Sequence, residues 1–258
     1  SAEKARALRP TADPDTARRR QAETSEAVAF LIPHPDFTIG GVRDIRQQVD
    51  LAAHAGVLAP FELLDIKSTL IAARNLARTF EHLGGQYPNL AELATQIRPP
   101  AGLVDTITRT ISERGEVLDS ASPRLAIIRR DMRVAHDRLL TKLQRMVTDP
   151  KIAPFLQEAL VTQRDGRYVL PLRAEFKGRI QALVHDQSAS GATLFVEPLG
   201  VVDLNNEYRE LQLAERDEER RILAEVSAQV GATAAEILAI LEVIAELDLI
   251  LARGKYAE

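Results

Sequence analysis

Along most of this chain apolar residues recur at spacings of three and four, the mark of amphipathic helices. They switch to alternation in one stretch only, Val161–Pro198. The first helical pattern follows Asp13-Pro14, an N-cap with Pro at the first helical position, and runs to about Leu31 before Pro33-His34-Pro35. A second, Val42–Ala53, keeps Val42, Ile45, Val49, Ala52 and Ala53 on one face. A third spans Pro60–His82, with Leu64, Ile71 and Leu76 among its buried candidates, and Gly84-Gly85 end it. Shorter helices are predicted at Asn89–Gln96 and Gly102–Ile111, split by Pro99-Pro100. Ser112–Ser122 is a polar connector.

Two long patterns flank the alternating stretch. Ser122-Pro123 starts Pro123–Val147, whose Leu125, Ile128, Met132, Ala135, Leu139, Leu143 and Met146 form a narrow seam suited to one partner helix. The return pattern, Leu199–Val230, carries Val201, Leu204, Tyr208 and Leu211, then Ile222, Val226 and Val230. Between those groups Glu215–Arg221 is polar all round, so it is either solvated or held by charge pairs. The outgoing helix is basic and the return helix acidic, which lets their charges complement each other if they run antiparallel. Each would make a shaft roughly 40 Å long. Gly231 is expected to kink or restart the helix. The last pattern, about Ala232–Tyr256, is apolar around much of its girth and should be buried.

The alternating stretch predicts a small antiparallel sheet. Arg164-Asp165-Gly166-Arg167 reads as a hairpin turn, because Asp-Gly tolerates positive φ at both central positions. Tyr168, Leu170 and Leu172 alternate with Arg167, Val169 and Arg173, as on a half-buried strand; Ile180–His185 and Thr193–Glu197 supply two more strands, joined by Ser188–Gly191. The fold class is therefore mainly α with a small antiparallel β-sheet: a helical core (1–120), an outgoing arm (121–160), a β tip (161–198), and a return arm with a buried helix (199–258).

Composition narrows the chemistry. The 258 residues carry a formal charge of −4, so any attraction to nucleic acid must be local. Cysteine is absent, which removes disulfides and thiolate chemistry. No apolar run has the roughly 18 residues a membrane span needs, and no signal peptide is visible. The opening Ser1-Ala2, without Met, reads as an excised fragment with a cloning remnant. The five histidines are scattered with no H-x-x-x-H pair. No phosphate-binding loop of the G-x-x-x-x-G-K-[ST] type occurs, so nothing here is assigned to ATP. His185-Asp186-Gln187-Ser188 invites a hydrolase reading, but strand neighbours point to opposite faces and cannot pair as base and orienter. Asp248, in an apolar helix, is read as a residue with a local partner. The tip cations Arg164, Arg167, Arg173, Lys177 and Arg179 are offset by Asp165, Glu175, Asp186 and Glu197. They form either a solvated sheet face or a phosphate-contact surface. The basic arm is the weaker candidate, since the acidic arm can neutralise it.

Three segments, RYVLPLRAEFKGRI, VHDQSASGATLFVEP and VDLNNEYRELQLAERDEERRIL, resemble the lever and clamp of the second bacterial branch of MutS-like proteins. TADPDTARRRQAETSEAV, GGVRDIRQQVDLAAHAGVLAPFELLDI, GEVLDSASPRLAIIRR and LAELDLILARGKYA are similar to the same branch. The resemblance implies a long two-helix antiparallel lever with a clamp at its tip. It implies a non-catalytic region of a cytoplasmic, homodimeric ATPase and endonuclease, whose ATPase domain (with ATP and Mg) and Smr nuclease lie outside this sequence. It implies closure around branched or double-stranded DNA, with suppression of recombination; the alternative is docking on stalled or collided ribosomes for rescue. Arg164, Arg167, Arg173, Lys177, Arg179 and His185 are the expected partner-binding residues. Neither a metal nor a cofactor is expected in this stretch.

Overall fold

The structure is a computed structural model that describes residues 2–257; Ser1, and with it half of the supposed cloning remnant, lies outside them. The order is α1 (Ala2–Arg6), α2 (Pro14–Leu31), α3 (Arg46–Ala53), α4 (Pro60–His82), α5 (Pro88–Ala94), α6 (Leu103–Thr110), α7 (Pro123–Thr148), β1 (Thr162–Arg164), β2 (Arg167–Arg173), β3 (Ala182–Gln187), β4 (Thr193–Pro198), α8 (Val202–Ala232) and α9 (Ala234–Ala257). The fold is mainly helical with one small antiparallel sheet. The chain divides into two compact units, Ser1–Leu118 with Arg221–Glu258, and Asp119–Arg220.

The first unit is helical. Asp13 caps α2 by accepting from the Thr16 N–H, and Pro14 opens the helix. Helix α9 packs along α2 and α3, and Ile237, Ile240, Ile244, Leu247 and Leu251 are buried in the common core. An aromatic cluster centres on Phe30, with Phe37, Phe80 and Tyr87 at 4.8, 5.2 and 5.5 Å between centroids. Three expectations need correction. Helix α3 starts at Arg46, not Val42, because Gly41 has φ +79° and the Arg43 N–H is taken by Thr69 Oγ1. Ile71 is 38% exposed, off the buried stripe of Leu70, Ala73 and Leu76. Gly231 lies within α8, and the break falls at Thr233. The glycine serves close approach: a Cβ there would stand 2.4 Å from the Ala52 carbonyl oxygen.

In the second unit Ser122 caps α7, accepting from the Arg124 and Leu125 N–H groups at 3.1 and 3.4 Å. The predicted seam is buried at Leu125, Ile128, Ala135, Leu139 and Leu143; Val147 takes the place expected of Met146, and Met132 is half-buried. The first part of α8 runs antiparallel to α7: Ser122 meets Glu218, Arg129 meets Glu215, and His136 meets Tyr208. The sheet order is β1-β2-β4-β3, antiparallel throughout. The β1–β2 turn has φ +48° at Asp165 and +79° at Gly166, the primed turn that Asp-Gly predicts. Leu170, Leu172, Leu194 and Val196 form one core with Leu139, Leu143, Val147 and Val201. Strand β2 is less exposed than alternation predicts, with Val169 through Leu172 all buried. Its second face is roofed: Phe195 lies opposite Pro171 and carries the Arg164 guanidinium 3.8 Å above its ring. Strand β3 begins at Ala182, two residues later than expected; the loop before it exposes Lys177 and Arg179 while Phe176 and Ile180 pack against the sheet core.

Candidate nucleic-acid interface

The sheet is fastened to the start of α8 by a buried polar network. Extending the β2–β4 register sets Tyr168 opposite Pro198, which has no N–H to give. Asn205, one turn into α8, takes that place. Its Oδ1 accepts from the Tyr168 N–H and its Nδ2 donates to the Tyr168 carbonyl, both at 3.0 Å. The same Nδ2 also donates to Glu197 at 2.7 Å. Glu197 is fully buried. An isolated carboxylate there would be costly, and this one is matched. Arg167 donates to it at 2.8 Å and His185 Nε2 lies 2.6 Å away, while Arg167 also donates to Asn206 Oδ1 at 2.7 Å.

His185 reaches Glu197 because β3 carries a bulge. Val184 pairs with Val196 and Asp186 with Phe195, so His185 is the inserted residue. The bulge cancels the alternation assumed from sequence, and His185 and Asp186 serve the same face. They do not pair with each other: Asp186 holds Arg164 at 3.2 Å. Ser188 Oγ accepts from the Thr193 N–H and neighbours Ser190, away from the histidine.

The six expected partner-binding residues therefore separate into two groups. Arg164, Arg167 and His185 are brought together on one sheet face and engaged internally. Arg173, Lys177 and Arg179, at the end of β2 and in the loop to β3, are exposed, and among the described residues their side chains have no hydrogen bond or ion pair. Sequence reasoning missed Glu197, Asn205 and Asn206. The available signal was a glutamate within the apolar run LFVEP, followed by Asn-Asn on the helix seam.

The helix pair shows the same division. Arg129 binds Asp119, Glu215 and Glu219 at 2.6–2.7 Å. Burial pulls its guanidinium down, but the bonds to Asp119 and Glu215 and the charges of Glu215 and Glu219 outweigh that and hold it above the ordinary arginine range. Glu218, almost fully buried, accepts from Ser122 and lies 3.6 Å from Arg124. Within the polar stretch Glu215–Arg221, charge pairs hold Glu215, Glu218 and Glu219 against α7, and Arg221 pairs with Glu225. Neutralisation stops there: Arg133, Arg138, Lys142 and Arg145 are exposed and have no ion pair among the described residues. At the joint, His136 Nε2 lies 2.7 Å from the Tyr168 hydroxyl, and His136 and Tyr208 sit 5.1 Å apart. Burial, then the charge and hydrogen bond of Tyr208, push the Tyr168 phenol above its usual range.

Among the described residues no cluster of His, Asp or Glu is arranged to hold a metal, and no helix is long and apolar enough to cross a membrane. Asp248 is half-buried and lines a shallow cavity with Lys4, Arg43, Arg46 and Glu242.

No family model matches the chain. Curated relatives match it along its whole length. The chain is 45% identical to Endonuclease MutS2 of Thermomicrobium roseum over 260 residues, covering 100% of this chain and 33% of the relative. It is 42% identical to Endonuclease MutS2 of Pelotomaculum thermopropionicum, covering 99% and 33%, and 40% identical to that of Symbiobacterium thermophilum, covering 96% and 31%. The helical fold with its small sheet and these matches define a MutS-like protein. The chain belongs to the second bacterial branch of that group, the branch of the proteins named Endonuclease MutS2, and spans about a third of the length of the relatives it matches.

Proposed function

We propose that this region is the lever and clamp of a MutS2-type protein and that its sheet grips the phosphate backbone of nucleic acid. The carrying observation is the trio Arg173, Lys177 and Arg179: exposed cations with no hydrogen bond or ion pair among the described residues, at the end of β2 and in the loop after it, beside a sheet fastened by Glu197 and Asn205. Phosphate contacts need cations that are not already neutralised, and a fixed base that keeps their positions. The relatives' name adds an endonuclease context. On this reading the region is a binding module. Nuclease and ATPase chemistry, with ATP and Mg, belong to other parts of a homodimeric cytoplasmic parent, and branched DNA is the target.

The test compares the chain with its Arg173→Gln/Lys177→Gln/Arg179→Gln variant on branched DNA, and on stalled ribosomes by co-sedimentation. The expected result is DNA binding that weakens steeply with salt, as counterion release requires, and is lost in the variant. Binding to ribosomes with none to DNA would transfer the role to ribosome rescue. A salt-independent interaction, or one the triple variant leaves intact, would overturn the reading.

A further inference from the structure

The second unit holds further exposed cations, on α7, that have no ion pair among the described residues. Arg138, Lys142 and Arg145 follow one another at spacings of four and three on α7, so they form one stripe. All are exposed, and they line a groove with Thr141, Met146 and Leu204. The stripe connects to the loop through named contacts. Lys142 lies along Gly200, its Nζ 3.8 Å from where a Cβ would stand. The next residue back, Leu199, donates its N–H to the Gln181 carbonyl at 2.9 Å, two residues from Arg179. Phe155, just beyond α7, packs 5.0 Å from Phe176, which precedes Lys177. Lys142 thus stands beside the end of β4 that is bonded to the β2–β3 loop, and the segment after α7 packs on the same loop through Phe155.

We infer that Arg138, Lys142 and Arg145 extend the Lys177–Arg179 loop into one phosphate-binding track, so that a nucleic-acid backbone lies along α7 as well as against the sheet. The inference rests on the nucleic-acid reading of the loop and adds the helix to it. The groove also contains Asp137 and Asp149. The track therefore offers discrete cations rather than a broad positive field, and contributes contacts rather than long-range steering.

The experiment measures binding of a fluorescent DNA duplex and an RNA duplex of the same sequence by anisotropy, across a potassium chloride series. The proteins are the full chain, the stripe variant Arg138→Gln/Lys142→Gln/Arg145→Gln, the loop variant above, and a charge-matched control, Arg78→Gln/Arg98→Gln/Arg114→Gln, in the other unit. The stripe variant should lower the slope of log affinity against log salt by roughly 2 to 3, the loss of three phosphate contacts, while the control leaves it unchanged. Equal loss on DNA and RNA supports a backbone track; loss on one alone marks that backbone as the ligand. An unchanged slope in the stripe variant, beside a reduced one in the loop variant, overturns the track and leaves the loop reading intact. An equal fall in the control also overturns it, since net charge would then explain the effect. No salt-sensitive binding by the parent chain would sink the loop reading and the track together.

Discussion

Two sets of basic residues in and beside the same small sheet behave in opposite ways. Arg167 and His185 share the buried Glu197 with Asn205, and their work is to hold β2, β3 and the start of α8 together. Arg173, Lys177 and Arg179 face solvent and pair with no acid among the described residues. Arginine occurs in both sets; partner geometry separates Arg167 from Arg173 and Arg179. A cation engaged by a buried carboxylate is unavailable to a ligand, because releasing it would strand the carboxylate. An unengaged surface cation gives little to stability and keeps its charge for a partner.

The widest separation should come from Glu197→Ala. Removing the carboxylate leaves Arg167, His185 and Asn205 without their common acceptor, and losing one member of such a buried set costs about 3–5 kcal/mol. Urea unfolding should show that loss, and hydrogen exchange should place it at the β2 and β4 amides. A loss under about 1 kcal/mol would mean that the network is not what fastens the sheet. Next comes Ser122→Ala. It removes an N-cap and the hydrogen bond to Glu218, with an expected cost of about 1–2 kcal/mol by the same unfolding measurement. Smaller still is the alkaline limb set by Tyr168. Its phenol is raised in the folded state, so the unfolded chain releases the proton first as pH climbs. The stabilisation is whole below the ordinary tyrosine range near 10 and is lost as pH rises through the higher folded value. Denaturation midpoints from pH 9 upward should therefore fall more steeply for the parent than for Tyr168→Phe. Parallel slopes would exclude Tyr168 as the source.

Much of this was legible in the residues. Asp13-Pro14 and Ser122-Pro123 mark helix starts because a side-chain cap and a fixed φ act locally. The seam of α7 and the Asp165-Gly166 turn are equally local signals. What could not be read depends on distant partners. The His185 bulge needs the β4 register, and Glu197 looks like a surface glutamate until Asn205 and Arg167 are placed around it. The start of α3 was misjudged because Thr69, in another helix, takes the Arg43 N–H. The pairing of Arg129 with Asp119, Glu215 and Glu219 was foreseen only as a complement between two helices. It was not foreseen that the complement would stop before Arg133.

The smallest expected change in stability is also the sharpest test of the contrast. Arg173→Gln, Lys177→Gln and Arg179→Gln together remove three exposed charges with no ion pair among the described residues, so each substitution should move unfolding by no more than about 0.5 kcal/mol. Melting temperature and the β2 and β4 exchange rates should match the parent's, while affinity for a charged backbone falls. If the triple variant instead lowers the melting temperature as far as Glu197→Ala does, these side chains hold the sheet after all, and their exposure does not mark them as a surface kept for a partner. If stability and affinity both stay constant, they are ordinary solvated charges, and the binding face must be sought among the cations of α7.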